Sequence, residues 1–203
     1  MHNSPRGAKF LAILIAATLL SACNKPASPE APPATGASPF KPTAGIQDIM
    51  AGMIEPSAEF IWGSVSTTVT AEGVEEKQPR TDDEWIEVRR HALILTESAN
   101  LLLIEGRHVT RAGRQLDDHG TPGNLTLEQV EHAITTDRAS FVGFSQALHD
   151  VGAALVKAAE DKDVQTIMSA GETLDEVCES CHLKFWYPGQ KIPLLPDQAP
   201  EID

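Results

Sequence analysis

The chain has 203 residues, of which 41% are hydrophobic and 22% are charged, as in globular proteins with one buried core. Its 16 Lys and Arg residues stand against 29 Asp and Glu residues, so the formal net charge is −13. No basic stripe is available to contact a phosphate backbone, which excludes nucleic acid binding, and three cysteines are too few for a disulfide scaffold.

Residues 1–22 resemble a bacterial lipoprotein signal peptide. Two basic residues precede an apolar run at positions 10–20, which is too short to span a bilayer but has the length of a signal-peptide core. The run ends in the lipobox-like sequence L-S-A-C, so we expect Cys23 to carry lipid as the first mature residue. The alternative is an ordinary secretory signal in which Cys23 is incidental. By resemblance to lipoprotein sorting, Asn24, a residue other than Asp, favours the outer membrane.

Residues 23–44 are expected to form an extended tether. Six prolines occur there among Ala, Ser and Thr, and this composition cannot form a core. Removal of residues 1–22 would take away two basic and no acidic residues, which leaves a net charge of −15. We therefore expect an exported, lipid-anchored protein that faces the periplasm and favours a basic redox partner.

The first helix is predicted over residues 45–69. Its apolar residues recur at the spacing of one helix face; in the first half they are Ile46, Ile49, Met50, Met53 and Ile54. Pro56 should kink this helix or end a turn. Residues 70–80 are expected to be a loop.

A capping box of Thr81 and Glu84 predicts the start of a second helix. This helix should continue to an irregular stretch at 107–125, which holds three glycines and a proline. Trp62 on the first helix and Trp85 on the second occupy positions where we expect packing in the core.

Thr126 and Gln129 form a second capping box, from which one continuous third helix is predicted to run to about residue 159. A fourth helix should begin after a cap at Asp161 or Asp163 and end at Pro188.

The expected fold is all-α. Aromatic residues are scarce, and no alternating run is long enough to make a sheet. Four amphipathic helices on one chain predict an antiparallel up-and-down four-helix bundle over residues 45–190, followed by a tail at 191–203.

The fourth helix contains the sequence C-x-x-C-H, formed by Cys178, Cys181 and His182. Two thiols three residues apart lie on one helical turn and can add across both vinyl groups of a haem. The histidine then supplies an axial nitrogen to the iron. If Cys23 takes lipid and the other two cysteines take haem, no cysteine is left for a disulfide.

Two other interpretations of this motif lack the sequence context that they need. A redox C-x-x-C needs a thioredoxin-like βαβ context, which the sequence does not predict. A zinc site needs a fourth ligand at metal spacing, and no second pair of Cys or His accompanies the motif. Covalent haem c is therefore the predicted cofactor.

A C-x-x-C-H near the end of the fourth helix, followed by an aromatic residue, resembles the cytochrome c′ family and its low-spin, Met-ligated relatives. The resemblance covers about residues 45–187. Phe185 matches the aromatic position, but Trp186 stands where family members often have Arg or Lys, and Lys184 lies two positions earlier. The resemblance therefore does not extend to the electrostatic effect that the basic residue usually has on the histidine that ligates the iron.

The resemblance implies that the first helix supplies the residue on the other side of the iron. Met50 and Met53 both lie on its apolar face, and a thioether is a soft ligand for haem iron. Met50 is preferred because it lies farther from Pro56, in unbroken helix, with Met53 as the alternative. Both methionines could instead be core residues. The resemblance also leaves open a homodimer through the first two helices.

Three functions follow from these observations. The first is a membrane-tethered single-electron carrier, which needs no catalytic base or nucleophile and is not an enzyme. The second is a five-coordinate haem protein that binds NO or CO. The third is a haem-free structural lipoprotein in which the motif is accidental.

Overall fold

The computed structural model of the protein describes residues 39–190, so the expected signal peptide, the lipidation site Cys23, most of the expected tether and the expected tail lie outside the described residues. The described chain is mostly helical. Its helices are α1 (Ile46–Ile49), a π-helical segment (Met50–Ile54), α2 (Glu55–Ser64), α3 (Asp82–Leu102), α4 (Leu127–Thr136), α5 (Arg138–Asp161) and α6 (Val164–Phe185). Two strands, β1 (Ser66–Thr70) and β2 (Gly73–Lys77), lie between α2 and α3.

The first helix differs from the prediction, because it is not regular and it ends at Ser64. Pro56 has no N–H to donate to the carbonyl four residues earlier, and its ring crowds that carbonyl. The chain accommodates Pro56 with π-helical geometry just before it, in which the Glu55 N–H donates to the carbonyl of Met50. Met50 is thus the first residue of the π-helical segment, and the expectation that it lies in unbroken α-helix is wrong.

The chain was expected to be all-α, with a loop at 70–80. Both expectations are wrong, because β1 and β2 form a hairpin there. Val69 lies opposite Val74 in the antiparallel pair, and every residue of β2 is exposed. β-Branched residues in β1 favour extended backbone. Because neither face of the hairpin is buried, the sequence lacks the alternation of polar and apolar residues by which a strand is usually predicted.

The predicted caps of α3 and α4 are confirmed. The Glu84 N–H donates to Oγ1 of Thr81 at 3.3 Å, and Oε2 of Glu84 accepts from the Thr81 N–H at 2.9 Å. At the start of α4, the Thr126 N–H donates to Oε1 of Gln129 at 2.8 Å.

The predicted third helix is instead two helices, α4 and α5, separated at Asp137. The backbone of Asp137 leaves helical geometry, and its carboxylate accepts a hydrogen bond from the Ser140 N–H at 3.1 Å to cap α5. Asp163, one of the two expected caps, accepts from the Thr166 N–H at 3.1 Å at the start of α6.

The long helices pack in sequence, α2 on α3, α3 on α5, α5 on α6 and α6 on α2. α3 and α5 run antiparallel, because Lys162 contacts Asp82 at one end and Arg138 donates to the carbonyl of Leu103 at the other. Large side chains that are almost fully buried between the helices include Ile61, Leu95, Leu155, Ile167 and Leu174. Within residues 39–190, no helix combines the length and apolar character needed to cross a membrane.

Candidate functional site

The two cysteines and the histidine of the C-x-x-C-H motif lie on the last two turns of α6 and line one cavity of about 350 Å³. This volume lies within the range of about 300–1,000 Å³ that is typical of small-molecule and cofactor sites. The sequence therefore predicted correctly that Cys178, Cys181 and His182 share a helix, and the structure adds the cavity that they face.

Four other helical elements complete the walls. The π-helical segment and α2 contribute one side, the end of α3 contributes Leu102, and α5 contributes its first turns. The apolar wall residues are Met50, Ile54, Ala58, Trp62, Leu102, Phe141, Phe144, Leu148 and Val177. Apart from the motif, the polar lining consists of Ser145 and of four carboxylates, those of Glu55, Glu59, Asp175 and Glu179. Such a lining suits a mainly apolar cofactor.

Burial raises the pKa of the Cys178 thiol to about 11 and that of the Cys181 thiol to about 12. For Cys178, the nearby carboxylates of Asp175 and Glu179 raise the pKa further. Both side chains are thus neutral thiols near pH 7, whereas the attacking cysteine of a redox C-x-x-C has a lowered pKa and ionises. This electrostatic environment disfavours thiol–disulfide exchange.

Burial lowers the pKa of His182, although Glu179 and Glu55 act in the opposite direction. The neutral imidazole, which is the form that ligates a metal, is therefore favoured near pH 7. The backbone carbonyl of His182 accepts hydrogen bonds from the N–H groups of Trp186 at 2.8 Å and Tyr187 at 2.9 Å. These bonds end α6 just after the motif.

Tyr187 was not predicted to belong to the site. Its ring centroid lies 5.7 Å from that of His182, and its hydroxyl donates to Oε2 of Glu179 at 2.7 Å. Burial, together with Glu179, raises the pKa of Tyr187, so the hydroxyl remains protonated. Glu179 lies within α6, whereas Tyr187 lies just after its end. The hydrogen bond from the Tyr187 N–H to the carbonyl of His182 keeps Tyr187 beside the last turn of the helix.

The residues that follow the motif are held by contacts with other parts of the chain. Phe185 is 2% exposed and packs edge-on against Phe141, with ring centroids 5.7 Å apart. Trp186 donates from Nε1 to Oδ2 of Asp118 at 3.1 Å, so it links the end of α6 to the segment between α3 and α4. Lys184 forms an ion pair with Asp137 at 2.8 Å, away from the imidazole.

Met50 lines the cavity with the motif, whereas Met53 is absent from its described lining. Both methionines are half-buried against the core. Met50 and His182 also border an adjoining cavity of about 320 Å³ on the side of Trp186 and Tyr187. Of the two methionines, Met50 alone shares the described lining with the motif, and it lies in π-helical and not in regular α-helical backbone. π-Helical turns are frequent at functional sites.

Trp62 was expected in the core, and this expectation is wrong. It is 40% exposed, whereas Trp85 is 7% exposed, as predicted. Trp62 forms part of the cavity wall and donates from Nε1 to the carbonyl of Gly171 on α6 at 2.9 Å. An apolar residue at helical spacing gives no sequence signal for such a position at the edge of a cavity.

Within residues 39–190, no group of three or more His, Cys, Asp or Glu side chains is arranged to hold a metal ion. Haem iron takes only one or two ligands from the protein, so a haem site lies outside that criterion. The chain was compared with family models, curated proteins and solved structures, and none of them matches it.

Proposed function

We propose that this protein is a c-type cytochrome that carries single electrons in the periplasm. The observation that carries the proposal is that Cys178, Cys181, His182 and Met50 line one apolar cavity. If the C-x-x-C-H side chains faced solvent, the protein would have no enclosed space beside them for a cofactor.

The residues fit covalent haem c. Cys178 and Cys181, which are neutral and adjacent on α6, would hold the group through two thioether bonds. His182, in its neutral form, would supply a nitrogen ligand to the iron and Met50 a soft sulfur ligand. When bound, the haem would supply reversible one-electron redox chemistry, and the apolar wall residues would shield it from water.

The proposed architecture is an antiparallel up-and-down four-helix bundle, similar to that of cytochrome c′ and its Met-ligated relatives. It is supported by the closed sequence of helix contacts, α2–α3, α3–α5, α5–α6 and α6–α2. The edge-on contact of Phe141 near the start of α5 with Phe185 at the end of α6 supports antiparallel packing of these two helices. The small hairpin at 66–77 would then be an insertion between the first two helices of the bundle.

The proposal includes export and anchoring. Residues 1–22 would be a lipoprotein signal peptide, Cys23 the lipidated residue and Asn24 a signal for the outer membrane. A lipid anchor holds a carrier near membrane-bound redox enzymes without the need for a transmembrane helix. A homodimer through the first two helices is compatible with this arrangement.

An alternative is a five-coordinate haem protein that binds NO or CO. The observation that favours it is the second cavity, of about 320 Å³, which Met50 and His182 share with the first. Space on both sides of Met50 would let its side chain move away and leave the sixth position of the iron open to a diatomic ligand.

The optical spectrum of the purified, reduced full-length protein tests the proposal. For the electron carrier we expect sharp low-spin bands, a weak sulfur-to-iron absorption in the oxidised form, and haem that remains on the polypeptide in a denaturing gel. A high-spin spectrum with rapid CO binding would favour the alternative. A colourless protein, expressed where haem is attached to other c-type cytochromes, would contradict both.

A further inference from the structure

Trp62 separates the motif cavity from a second depression on the protein surface. This groove, of about 350 Å³, lies between α2 and α6, and Trp62 and Asp175 line both the cavity and the groove. Its other walls are mainly apolar and come from Ile61, Val65, Ile167, Met168 and Gly171. The indole therefore has one side in the motif cavity and another in the surface groove.

The indole is held in this position. Nε1 donates to the carbonyl of Gly171 at 2.9 Å, and a Cβ placed on Gly171 would lie 3.5 Å from Cδ1 of Trp62. The ring thus lies in contact with α6 at a residue that has no side chain. A tryptophan that is 40% exposed yet fixed in orientation presents a rigid apolar surface with little entropy left to lose on binding.

The charges around this surface have one sign. Glu59, Glu172 and Asp175 are exposed, and they line the cavity, the groove or both. No Lys or Arg is among the described residues that line either space. Within residues 39–190, these three carboxylates form no ion pair. Exposed carboxylates without an ion-pair partner beside an apolar groove attract a cationic surface and repel an anionic one.

We propose that the Trp62 groove, bordered by Glu59, Glu172 and Asp175, is the docking surface for a redox partner that presents Lys and Arg side chains around an apolar patch. This inference rests on the proposed function, since it assigns the place where the carrier exchanges its electron. In that exchange one electron passes from the reduced carrier to the oxidised partner, and no proton or atom is transferred. The indole is the contact through which the two proteins meet.

Poly-L-lysine is a suitable probe of the binding step, because it supplies the cationic chemistry without any redox centre. We expect the indole N–H signal of Trp62 in ¹⁵N-labelled holoprotein to shift or broaden during titration, while that of the buried Trp85 remains unchanged. The Trp62→Phe variant identifies the signal by its loss. The shift should disappear in about 0.5 M salt, because the Debye length then falls below about 5 Å.

The electron-transfer step is tested with tris(1,10-phenanthroline)cobalt(III), a trivalent cation with flat aromatic ligands, which takes one electron and becomes cobalt(II). Glu172→Gln/Asp175→Asn should lower its second-order rate constant with the reduced holoprotein by about three- to tenfold at low ionic strength. Glu75→Gln/Glu76→Gln, which changes the net charge equally on the hairpin, outside the described linings of the cavity and the groove, is the matched control and should change the rate less than the first variant does. Hexacyanoferrate(III), an anion, should react faster with the first variant.

Each outcome bears on the proposal. Equal effects of the two double variants, or a Trp62 signal that does not respond to poly-L-lysine while the haem spectrum is normal, would overturn the docking surface and leave the proposed function intact. If Glu172→Gln/Asp175→Asn perturbs the spectrum, the single variant Glu172→Gln takes its place, because Glu172 lines only the groove. A protein without haem would overturn the proposed function and the docking surface together.

Discussion

Met50 and His182 line the same two cavities, one from the start of the π-helical segment and the other from the last turn of α6. Glu55 is the one other described residue that the two cavities share. Under the proposed function, this thioether and this imidazole would be the two protein ligands of one haem iron. Met53 lies outside this shared space.

We therefore predict that Met50→Ala converts the reduced holoprotein from low-spin to high-spin, opens it to CO and lowers its potential, because a soft ligand that favours ferrous iron is lost. Met53→Ala is the matched control and should keep the low-spin spectrum. Because Met53 is only half-buried, its loss should cost about 1–2 kcal/mol of unfolding free energy. Optical spectra of the two variants, with and without CO, test this prediction. The reverse pattern would make Met53 the ligand.

Replacing both Cys178 and Cys181 by Ala should abolish covalent haem retention, measured as haem stain on a denaturing gel. His182→Ala should remove the axial nitrogen while leaving the thioethers. Because a bound cofactor stabilises only the folded state, the cysteine variant should unfold at lower denaturant concentration than wild type. A variant without haem that unfolds at the same concentration as a colourless wild type would contradict the haem assignment.

Gly152→Ala should destabilise the protein. A Cβ at Gly152 would lie 2.5 Å from Oγ1 and 2.9 Å from the backbone nitrogen of Thr96, so α3 and α5 would have to move apart. We expect a loss of about 1–3 kcal/mol of unfolding free energy. Gly143→Ala on the same helix is the control, since nothing lies within 4 Å of its added Cβ, and it should gain about 0.5–1 kcal/mol. Urea unfolding measures both, and equal effects would show that α3 and α5 are farther apart than described.

Asp137→Asn should weaken the folded state in a pH-dependent manner. The hydrogen bond from Lys184, followed by the one from the Ser140 N–H, lowers the pKa of Asp137 from 3.8 to about 2. A carboxyl whose pKa is lower in the folded than in the unfolded state stabilises the fold above the unfolded pKa, and this contribution disappears as the pH falls through the folded pKa.

Wild type should therefore exceed Asp137→Asn in unfolding free energy at pH 6, and the difference should shrink between about pH 4 and pH 2. Asn caps a helix about as well as Asp, so the substitution isolates the charge. Urea titrations at the two ends of this range make the comparison. Since both partners are exposed, added salt should reduce the difference at pH 6, and a difference independent of pH would exclude the ion pair as its cause.

Cys23→Ser should release the protein from the membrane, because it removes the acyl chains of the expected anchor. The haem spectrum should be unchanged, since the expected tether separates Cys23 from the folded domain. Membrane fractionation followed by spectroscopy tests both statements. A variant that stays with the membrane after a salt wash would contradict lipidation at Cys23.

The sequence alone predicted the features that depend on local interactions. The caps at Thr81 and Thr126 were predictable because the side chain and the N–H that it satisfies lie three residues apart. Cys178, Cys181 and His182 share one helical turn by their spacing, so their proximity also needed no tertiary information. The predominance of helix followed from the spacing of apolar residues.

Other features depend on contacts between distant parts of the chain. The hairpin at 66–77 has no buried face and gives no periodic signal, and the break at Asp137 interrupts a pattern of apolar residues that would otherwise support one helix.

Tertiary packing also decided which of two equivalent side chains reaches the cavity. Met50 and Met53 are indistinguishable as apolar residues on one helix face, and the π-helical turn imposed by Pro56, with the position of α6, leaves only Met50 in its described lining. Trp62 likewise has core spacing, yet it lies at the edge, because packing of α2 on α6 determines how far each face is covered. Periodicity specifies which side of a helix is apolar, whereas the angle and depth at which helices meet depend on the whole interface.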